Sequence, residues 1–137
     1  MADLSADFSL LPYNTFGFDV RARYACVLQY ESEIAQLLAE PRLAGLPRLV
    51  LGGGSNVVLS GAFDGVVWLM RMQGRRLVRE DAEAFYVEAA AGETWHEFVA
   101  WTLAQGWPVV QMTSTSARSA EWVATDLATA SSPMAMT

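Results

Sequence analysis

The sequence of 137 residues contains no Lys, so all nine of its basic residues are Arg. Fifteen Asp and Glu residues give a formal charge of −6 and an isoelectric point near 4.6, which disfavours broad electrostatic binding of nucleic acid or anionic lipid. Cys26 is the single cysteine, which excludes an internal disulfide and a cysteine-based zinc site. A single cysteine also fits a reducing compartment.

The chain also lacks the hydropathy pattern of a targeting segment or a membrane span. Residues 1–7 have neither the basic start nor the continuous apolar core of a secretory signal. The longest uncharged stretch, residues 98–117, contains Gly106, Pro108 and several Ser and Thr residues, which argues against a bilayer-spanning helix. We therefore expect a cytoplasmic protein with no membrane partner and no nucleic-acid partner.

Composition divides the chain near Pro108. Hydrophobic residues make up 53% and charged residues 18%, a balance typical of a globular domain with a buried core. Residues 1–108 hold all ten Gly and eight Ser or Thr, whereas residues 109–137 hold ten Ser or Thr, six Ala and no Gly. We expect a folded lobe over 1–108 and an atypical Ser/Thr/Ala-rich tail over 109–137. The tail should be poorly ordered, apart from a short helix near residues 121–130.

Strand and helix signals alternate within the folded region. Apolar runs predict strands at residues 23–28, 49–51, 66–70, 75–79 and 84–90, the last two as a hairpin. Ser32 is the predicted N-cap of a helix that buries Ile34, Leu37 and Leu38 and stops at Pro41. Thr94 and Glu97 have capping-box spacing before a helix at 95–105, whose predicted buried stripe is Phe98, Val99, Thr102 and Leu103. The order predicts an α+β fold with a β-α-β unit and helices packed on a small mixed β-sheet.

The candidate site is the glycine-rich loop that follows the predicted strand at 49–51, with the residues Gly52, Gly53, Gly54, Ser55 and Asn56. Three glycines let the backbone approach a ligand closely and direct N–H groups at an anion such as a nucleotide pyrophosphate. Val57 stands where the dinucleotide fingerprint has its third spaced glycine, and no Gly-Lys-Ser or Gly-Lys-Thr occurs, so neither of those cofactor loops is favoured. Taken alone, such a loop is more often an ordinary turn.

The other chemistry-bearing residues are explained more simply by packing or solvation. His96 falls in the first turn of a predicted helix and Cys26 in an apolar strand, so we expect a packing role for both. No catalytic residue and no metal ligand is assigned. Packing in the core or at the surface explains Trp95, Trp101 and Trp107, and a solvated turn explains Glu80, Asp81 and Glu83. A phosphate is within the chemistry of Arg71, Arg75 and Arg76, but a solvent-facing strand edge is the simpler interpretation of these three.

Several motifs occur in an order and at intervals that match a known family. They are Asn14-Thr15-Phe16-Gly17, the segment from Leu49 to Val57, the block from Gly92 to His96, and Gly106-Trp107-Pro108. Together they resemble the N-terminal FAD-binding lobe of the UDP-N-acetylenolpyruvoylglucosamine reductases, or UDP-N-acetylmuramate dehydrogenases, of bacterial peptidoglycan synthesis. The resemblance covers residues 11–108.

The resemblance implies the first lobe of the FAD-binding fold that flavin oxidases and reductases share. It also implies an activity in which NADPH reduces a non-covalently bound FAD, which passes hydride to the enolpyruvyl ether of a UDP-sugar to form UDP-N-acetylmuramate. Residues Gly52 to Val57 would lie along the pyrophosphate of the FAD. Backbone donors with the side chains of Ser55 and Asn56 suit that role in a chain without Lys.

The resemblance stops after Pro108, where the family continues with Gly-Leu-Glu and this chain has Val109, Val110 and Gln111. The family's proton-donating Ser, its Arg and Glu near the substrate, and its substrate-binding domain have no counterpart here. We therefore expect a truncated or frame-disrupted lobe that is inactive alone, with the missing lobes supplied by nothing or by another chain. Reading one base out of frame through a later family segment can give the string Thr115 to Ala120, which favours an out-of-frame tail.

Two alternatives remain open. The chain could be a non-catalytic module, derived from the FAD lobe, that binds a nucleotide or a protein partner. It could also belong to an FAD-dependent oxidase of the same fold with another substrate. The blocks that begin at Asn14 and Gly92 count against the oxidase.

Overall fold

The structure is a computed structural model that describes residues 3–107, 110–115 and 119–125. The chain divides into two compact units, Met1–Gln73 and Gly74–Thr137. Among the described residues, no helix has the length and apolar content that a membrane span requires.

The first unit is built on a mixed four-stranded sheet in the order β1-β2-β4-β3. Strands β2, β4 and β3 are parallel, and β1 pairs antiparallel with β2. The predicted β-α-β unit is confirmed as two parallel strands joined through a helix, but β4 lies between them. The strands are β1 (Leu4–Ser9), β2 (Arg21–Leu28), β3 (Arg48–Leu51) and β4 (Phe63–Met70), and the helix is α1 (Ser32–Leu38).

Strand β4 is central to this unit because its apolar run is continuous. Every residue from Gly65 to Met70 is buried, as expected for a strand covered on both faces. Val67 and Leu69 on one face of β4 join the core cluster that contains Leu10 and Leu51. Strand β4 therefore fixes the position at which the neighbouring strand β3 ends, directly before the glycine-rich loop.

Helix α1 is capped differently from the prediction. Ser32 is its first helical residue and not its N-cap. The carboxylate of Glu33 reaches back and accepts hydrogen bonds from the N–H groups of Gln29 at 2.8 Å and Tyr30 at 2.9 Å. Leu37 is buried as predicted, but Leu38 is exposed, so the expected apolar face was too wide.

The second unit is an antiparallel four-stranded sheet, in the order β5-β6-β8-β7, with one helix. The predicted hairpin is confirmed, and at its turn the carboxylate of Asp81 accepts the N–H groups of Glu83 and Ala84. The hydrogen bond from Glu83 is the main cause that lowers the pKa of Asp81. The elements are β5 (Arg75–Glu80), β6 (Ala84–Ala90), α2 (Trp95–Ala104), β7 (Val110–Thr115) and β8 (Ser119–Thr125).

Helix α2 begins at the predicted residue, but its contacts differ in two respects. Thr94 is the N-cap, yet its hydroxyl donates to the Glu97 carboxylate at 2.9 Å and caps no backbone N–H, so the capping box does not form. Phe98 and Thr102 are fully buried, whereas Leu103 is 54% exposed. The buried stripe instead includes Trp101, which packs against the core of the second unit.

The fold class is confirmed as α+β, with a second sheet that the sequence did not predict. Two of its strands, β7 and β8, lie where a poorly ordered tail was expected. Residues Ser119–Thr125 pair with β6, so the predicted helix is wrong over 121–125, and its remainder lies outside the described residues. The division into a lobe over 1–108 and a tail over 109–137, and the out-of-frame origin of that tail, stay predictions.

Asn14 holds the chain segment between β1 and β2 in a compact turn. It is 7% exposed, and its side-chain amide donates to the carbonyl oxygens of Leu10 at 2.7 Å and Phe18 at 3.0 Å. Its side-chain oxygen accepts the N–H of Phe18 at 2.8 Å. One buried side chain thus ties both ends of the turn together.

The variant Asn14→Ala should lower the free energy of unfolding by about 2–3 kcal/mol, because buried backbone groups of Leu10 and Phe18 lose their partner. Urea unfolding followed by circular dichroism measures the change. Asn56→Ala is the matched control, since Asn56 is exposed and should give almost no change. Equal loss in both variants would contradict the role of Asn14.

Burial also makes Cys26 unreactive. Its sulfur lies 3.8 Å from the Val67 carbonyl oxygen, and burial, with a smaller contribution from the negative charge of Glu33, raises its pKa to about 12. Because the folded state favours the neutral thiol, the associated stabilisation is complete below pH 9 and is lost as the pH rises towards 12.

At pH 8 we expect iodoacetamide to alkylate Cys26 roughly 1,000-fold more slowly in the native chain than in urea, the ratio of the thiolate fractions. Mass spectrometry of timed samples measures both rates. Native labelling within tenfold of the rate in urea would contradict a buried, protonated thiol.

Candidate functional site

The glycine-rich loop begins where the parallel part of the first sheet ends. Strand β3 stops at Leu51, Gly52 follows at once, and the neighbouring strand β4 stops at Met70 directly before Arg71. In open sheets with parallel strands, ligands bind outside the carboxyl ends of those strands. The sequence-predicted loop therefore occupies the edge of the sheet where a ligand site is expected.

Gly54 packs directly against the turn that Asn14 stabilises. Its φ angle is +68°, and a Cβ atom there would collide with the carbonyl oxygen of Tyr13. The N–H of Thr15 donates to the Gly54 carbonyl at 3.0 Å. The Asn-Thr-Phe-Gly segment thus supports the loop from one side, and only glycine fits at position 54.

Gly53 has the opposite environment. It is exposed, its φ angle is not positive, and a Cβ atom built on it meets no atom within 4 Å. The last three residues of the motif also differ from one another, since Ser55 and Asn56 are exposed while Val57 is half-buried against the core of the first unit. The loop therefore has a packed side at Gly54 and an open side at Gly53.

Several hydrogen-bond donors of the glycine-rich loop have no acceptor within the described part of the chain. The backbone N–H groups of the exposed residues Gly53, Ser55 and Asn56 donate no hydrogen bond to another described residue. The side chains of Ser55 and Asn56 likewise make none with residues 3–107. A short segment with this many free donors on an exposed face suits an anion with several oxygen acceptors.

Arg71 adds a positive charge next to the loop. Its Nη1 atom donates to the carbonyl oxygens of Gly52 and Met70, both at 2.8 Å. Its guanidinium also lies 5.9 Å from the ring centroid of Tyr13. The expected strand-edge role is therefore wrong for Arg71, which joins the ends of β3 and β4. Its position directly after a buried apolar run was the available sequence signal.

Arg75 and Arg76 do follow the strand-edge interpretation. Both lie on β5, an edge strand of the second sheet. Arg76 pairs with Glu88 at 3.2 Å, and Arg75 lies 3.7 Å from Glu93 and donates to the Glu97 carbonyl at 2.7 Å. Both guanidinium groups therefore interact with residues of the second unit.

The tryptophans have the core or surface packing roles that were expected. Trp107 is buried, stacks on Phe85 at 4.9 Å between ring centroids and meets Trp101 edge-on at 5.4 Å. Trp95 is exposed by 54%, and His96 is exposed too, so the packing role expected of His96 is wrong. No cluster of potential metal ligands occurs among the described residues.

A groove of about 460 Å³ in the first unit lies away from the glycine-rich loop. It is lined by the starts of β2 and β4, which are the opposite ends of the parallel strands. Its charged residues are paired, with Arg21 2.6 Å from Asp7 and Arg23 3.3 Å from Asp64. The groove therefore offers no free charge to a ligand, unlike the loop.

Comparison with known proteins agrees with this geometry. The model of a family described as an FAD binding domain matches residues 22–119, which include β2 except for its first residue, together with β4, the loop and α2. The UDP-N-acetylenolpyruvoylglucosamine reductase of Paraburkholderia phymatum is 66% identical over 103 residues, and that of Paraburkholderia phytofirmans is 62% identical over 103 residues. The protein of the same name from Burkholderia mallei is 58% identical over 105 residues.

These matches cover a large share of this chain but a small share of each relative. They include 75% to 77% of this chain but only 30% of each relative. The chain thus spans about a third of the length of the curated relatives it matches. The resemblance to the FAD-binding lobe of these reductases is confirmed, and the chain belongs to the FAD binding domain family.

Proposed function

We propose that this chain is the first cofactor-binding lobe of a UDP-N-acetylenolpyruvoylglucosamine reductase and that its glycine-rich loop binds the pyrophosphate of a non-covalent FAD. The observation that carries the proposal is the set of unused N–H donors at Gly53, Ser55 and Asn56, in the loop at the carboxyl ends of parallel strands. Relatives with this name and membership in an FAD binding domain family support it.

The residues of the loop are chemically suited to bind a pyrophosphate. A pyrophosphate offers several acceptor oxygens with negative charge, and the loop offers backbone N–H groups, the Ser55 hydroxyl and the Asn56 amide on its exposed side. Gly53 leaves open space at the loop surface, so no side chain keeps a phosphate away from the backbone. Arg71 places a positive charge at the start of the loop without using a Lys.

The chemistry of the complete reductase is also part of the proposal. When bound, FAD would supply hydride transfer from NADPH to the enolpyruvyl group of a UDP-sugar, and a proton from a group outside the residues assigned here would complete the reduction to UDP-N-acetylmuramate for peptidoglycan synthesis in the cytoplasm. This chain's own residues bind and orient the pyrophosphate, and we assign none of them a proton transfer. The 30% share of the relatives that the chain matches supports placing the catalytic groups elsewhere.

A second candidate function is a non-catalytic module that binds a nucleotide through the same loop. The unused donors favour it equally, since they suit any diphosphate. An assay of turnover distinguishes the reductase lobe from the non-catalytic module only if other chains supply the missing catalytic groups. Binding of FAD is therefore tested first.

The variant Gly53→Val should weaken FAD binding at least tenfold, about 1.4 kcal/mol, because a β-branched side chain then covers the open side of the loop. Flavin fluorescence during titration of the chain measures the dissociation constant, and far-UV circular dichroism should stay native.

Gly61→Val is the matched control for this change. Gly61 is exposed, also has no positive φ and no atom within 4 Å of an added Cβ, but lies outside the loop. It should bind FAD as the parent chain does. Equal affinity of the Gly53→Val variant and the parent would remove the loop from the cofactor site.

With FAD, NADPH and the enolpyruvyl substrate added together, we expect the chain to give no turnover above the rate of free flavin. Following NADPH absorbance under anaerobic conditions measures this. Saturable, substrate-dependent oxidation of NADPH would show that the chain contains the catalytic groups we place elsewhere.

A further inference from the structure

The loop is held by its carbonyl groups, and this determines where its N–H groups point. Within the described part of the chain, two of its carbonyl oxygens have donors: Arg71 donates to Gly52 at 2.8 Å and the N–H of Thr15 donates to Gly54 at 3.0 Å. In a trans peptide unit the C=O and the following N–H point in opposite directions. Within the described loop, residues 52–57, no peptide bond is cis.

Each held carbonyl therefore fixes the direction of one N–H group. Arg71 on the Gly52 carbonyl turns the N–H of Gly53 away from the guanidinium, and Thr15 on the Gly54 carbonyl does the same for Ser55. Gly53 and Ser55 are both exposed, and neither N–H donates to another described residue. The two donors are two positions apart along the loop, with Gly54 between them, and each is oriented by one of the two held carbonyls.

The two groups that hold the loop carbonyls, the Thr15 N–H and the Arg71 guanidinium, differ in how rigidly they are positioned. Thr15 follows Asn14, whose three side-chain hydrogen bonds fix the turn. Arg71 instead holds the loop through a side chain, and the same Nη1 atom binds Met70, the last residue of β4. The Gly52–Gly53 peptide, between two glycines, has few other restraints on its rotation, because neither residue has a side chain.

We infer that Arg71 is a positioning residue for the anion site: by holding the Gly52 carbonyl it keeps the Gly53 N–H on the open side of the loop, ready for a phosphate oxygen. This inference rests on the proposed function, since it concerns the same site. A positioning role differs from that of a simple counter-charge. If Arg71 positions the Gly53 N–H, its removal should weaken the contact of the ligand with that N–H and leave the contact with the Ser55 N–H unchanged.

The test is a titration of the ¹⁵N-labelled full chain with ADP, followed by amide resonances. In the parent, the amide signals of both Gly53 and Ser55 should shift. In Arg71→Met the dissociation constant should rise roughly tenfold. At saturation the Gly53 shift should fall by at least half, while the Ser55 shift persists. Arg71→Lys, which keeps a donor and the charge, should restore part of both effects.

Arg23→Met is the matched control for charge, because Arg23 belongs to the same unit, is exposed, and pairs with Asp64. It should bind ADP within twofold of the parent. If Arg71→Met and Arg23→Met weaken binding equally, or if Gly53 and Ser55 lose their shifts to the same degree, the positioning role is wrong while the proposed site stands. If the parent shows no shift at either amide, both the proposed site and the inference fail.

Discussion

The close contact between Gly54 and the turn at Tyr13 is the constraint on which the site depends. The backbone of the loop lies so near the Tyr13 carbonyl that a Cβ atom has no room, and the Thr15 N–H closes the contact with a hydrogen bond. Asn14, between them, is buried, and its side chain makes three hydrogen bonds. Two motifs 39 residues apart are therefore one structural unit, in which the first gives the second its shape.

The consequence of that contact is a loop with two different sides. Its carbonyls at Gly52 and Gly54 accept hydrogen bonds from within the unit, whereas the residues Gly53, Ser55 and Asn56 are exposed. A preorganised set of donors binds an anion without a further cost of ordering the backbone. In the proposed function, a chain with a formal charge of −6 would thus bind an anion through the backbone donors of this loop and the adjacent Arg71.

The sequence analysis predicted most of the secondary-structure elements that depend on local residue patterns. The run from Val66 to Met70, the hairpin around Asp81, and the strand that leads into Gly52 were all found, because burial on both faces and turn residues leave strong signals. The order of the strands could not be found in the same way. That β4 lies between β2 and β3 is a long-range packing outcome, and the sequence of β1, Leu4–Ser9, has little apolar character to indicate a strand.

The errors also have physical causes. Leu38 and Leu103 continue the apolar periodicity of their helices, but the residues that face the core depend on how each helix is placed on its sheet. Residues Ser119–Thr125 pair with β6, which overrides any local helical preference. For the site, the glycines were identified directly, whereas the contribution of Arg71 depends on two strands ending side by side.

The most direct test of the central claim compares ADP with adenosine by isothermal titration calorimetry on the parent chain. These ligands share the base and ribose and differ by the pyrophosphate. If the loop binds the pyrophosphate, ADP should bind at least tenfold more tightly, and the difference should shrink as salt is added. Equal affinity for ADP and adenosine, or no binding of either, would contradict a pyrophosphate site at Gly52 to Val57.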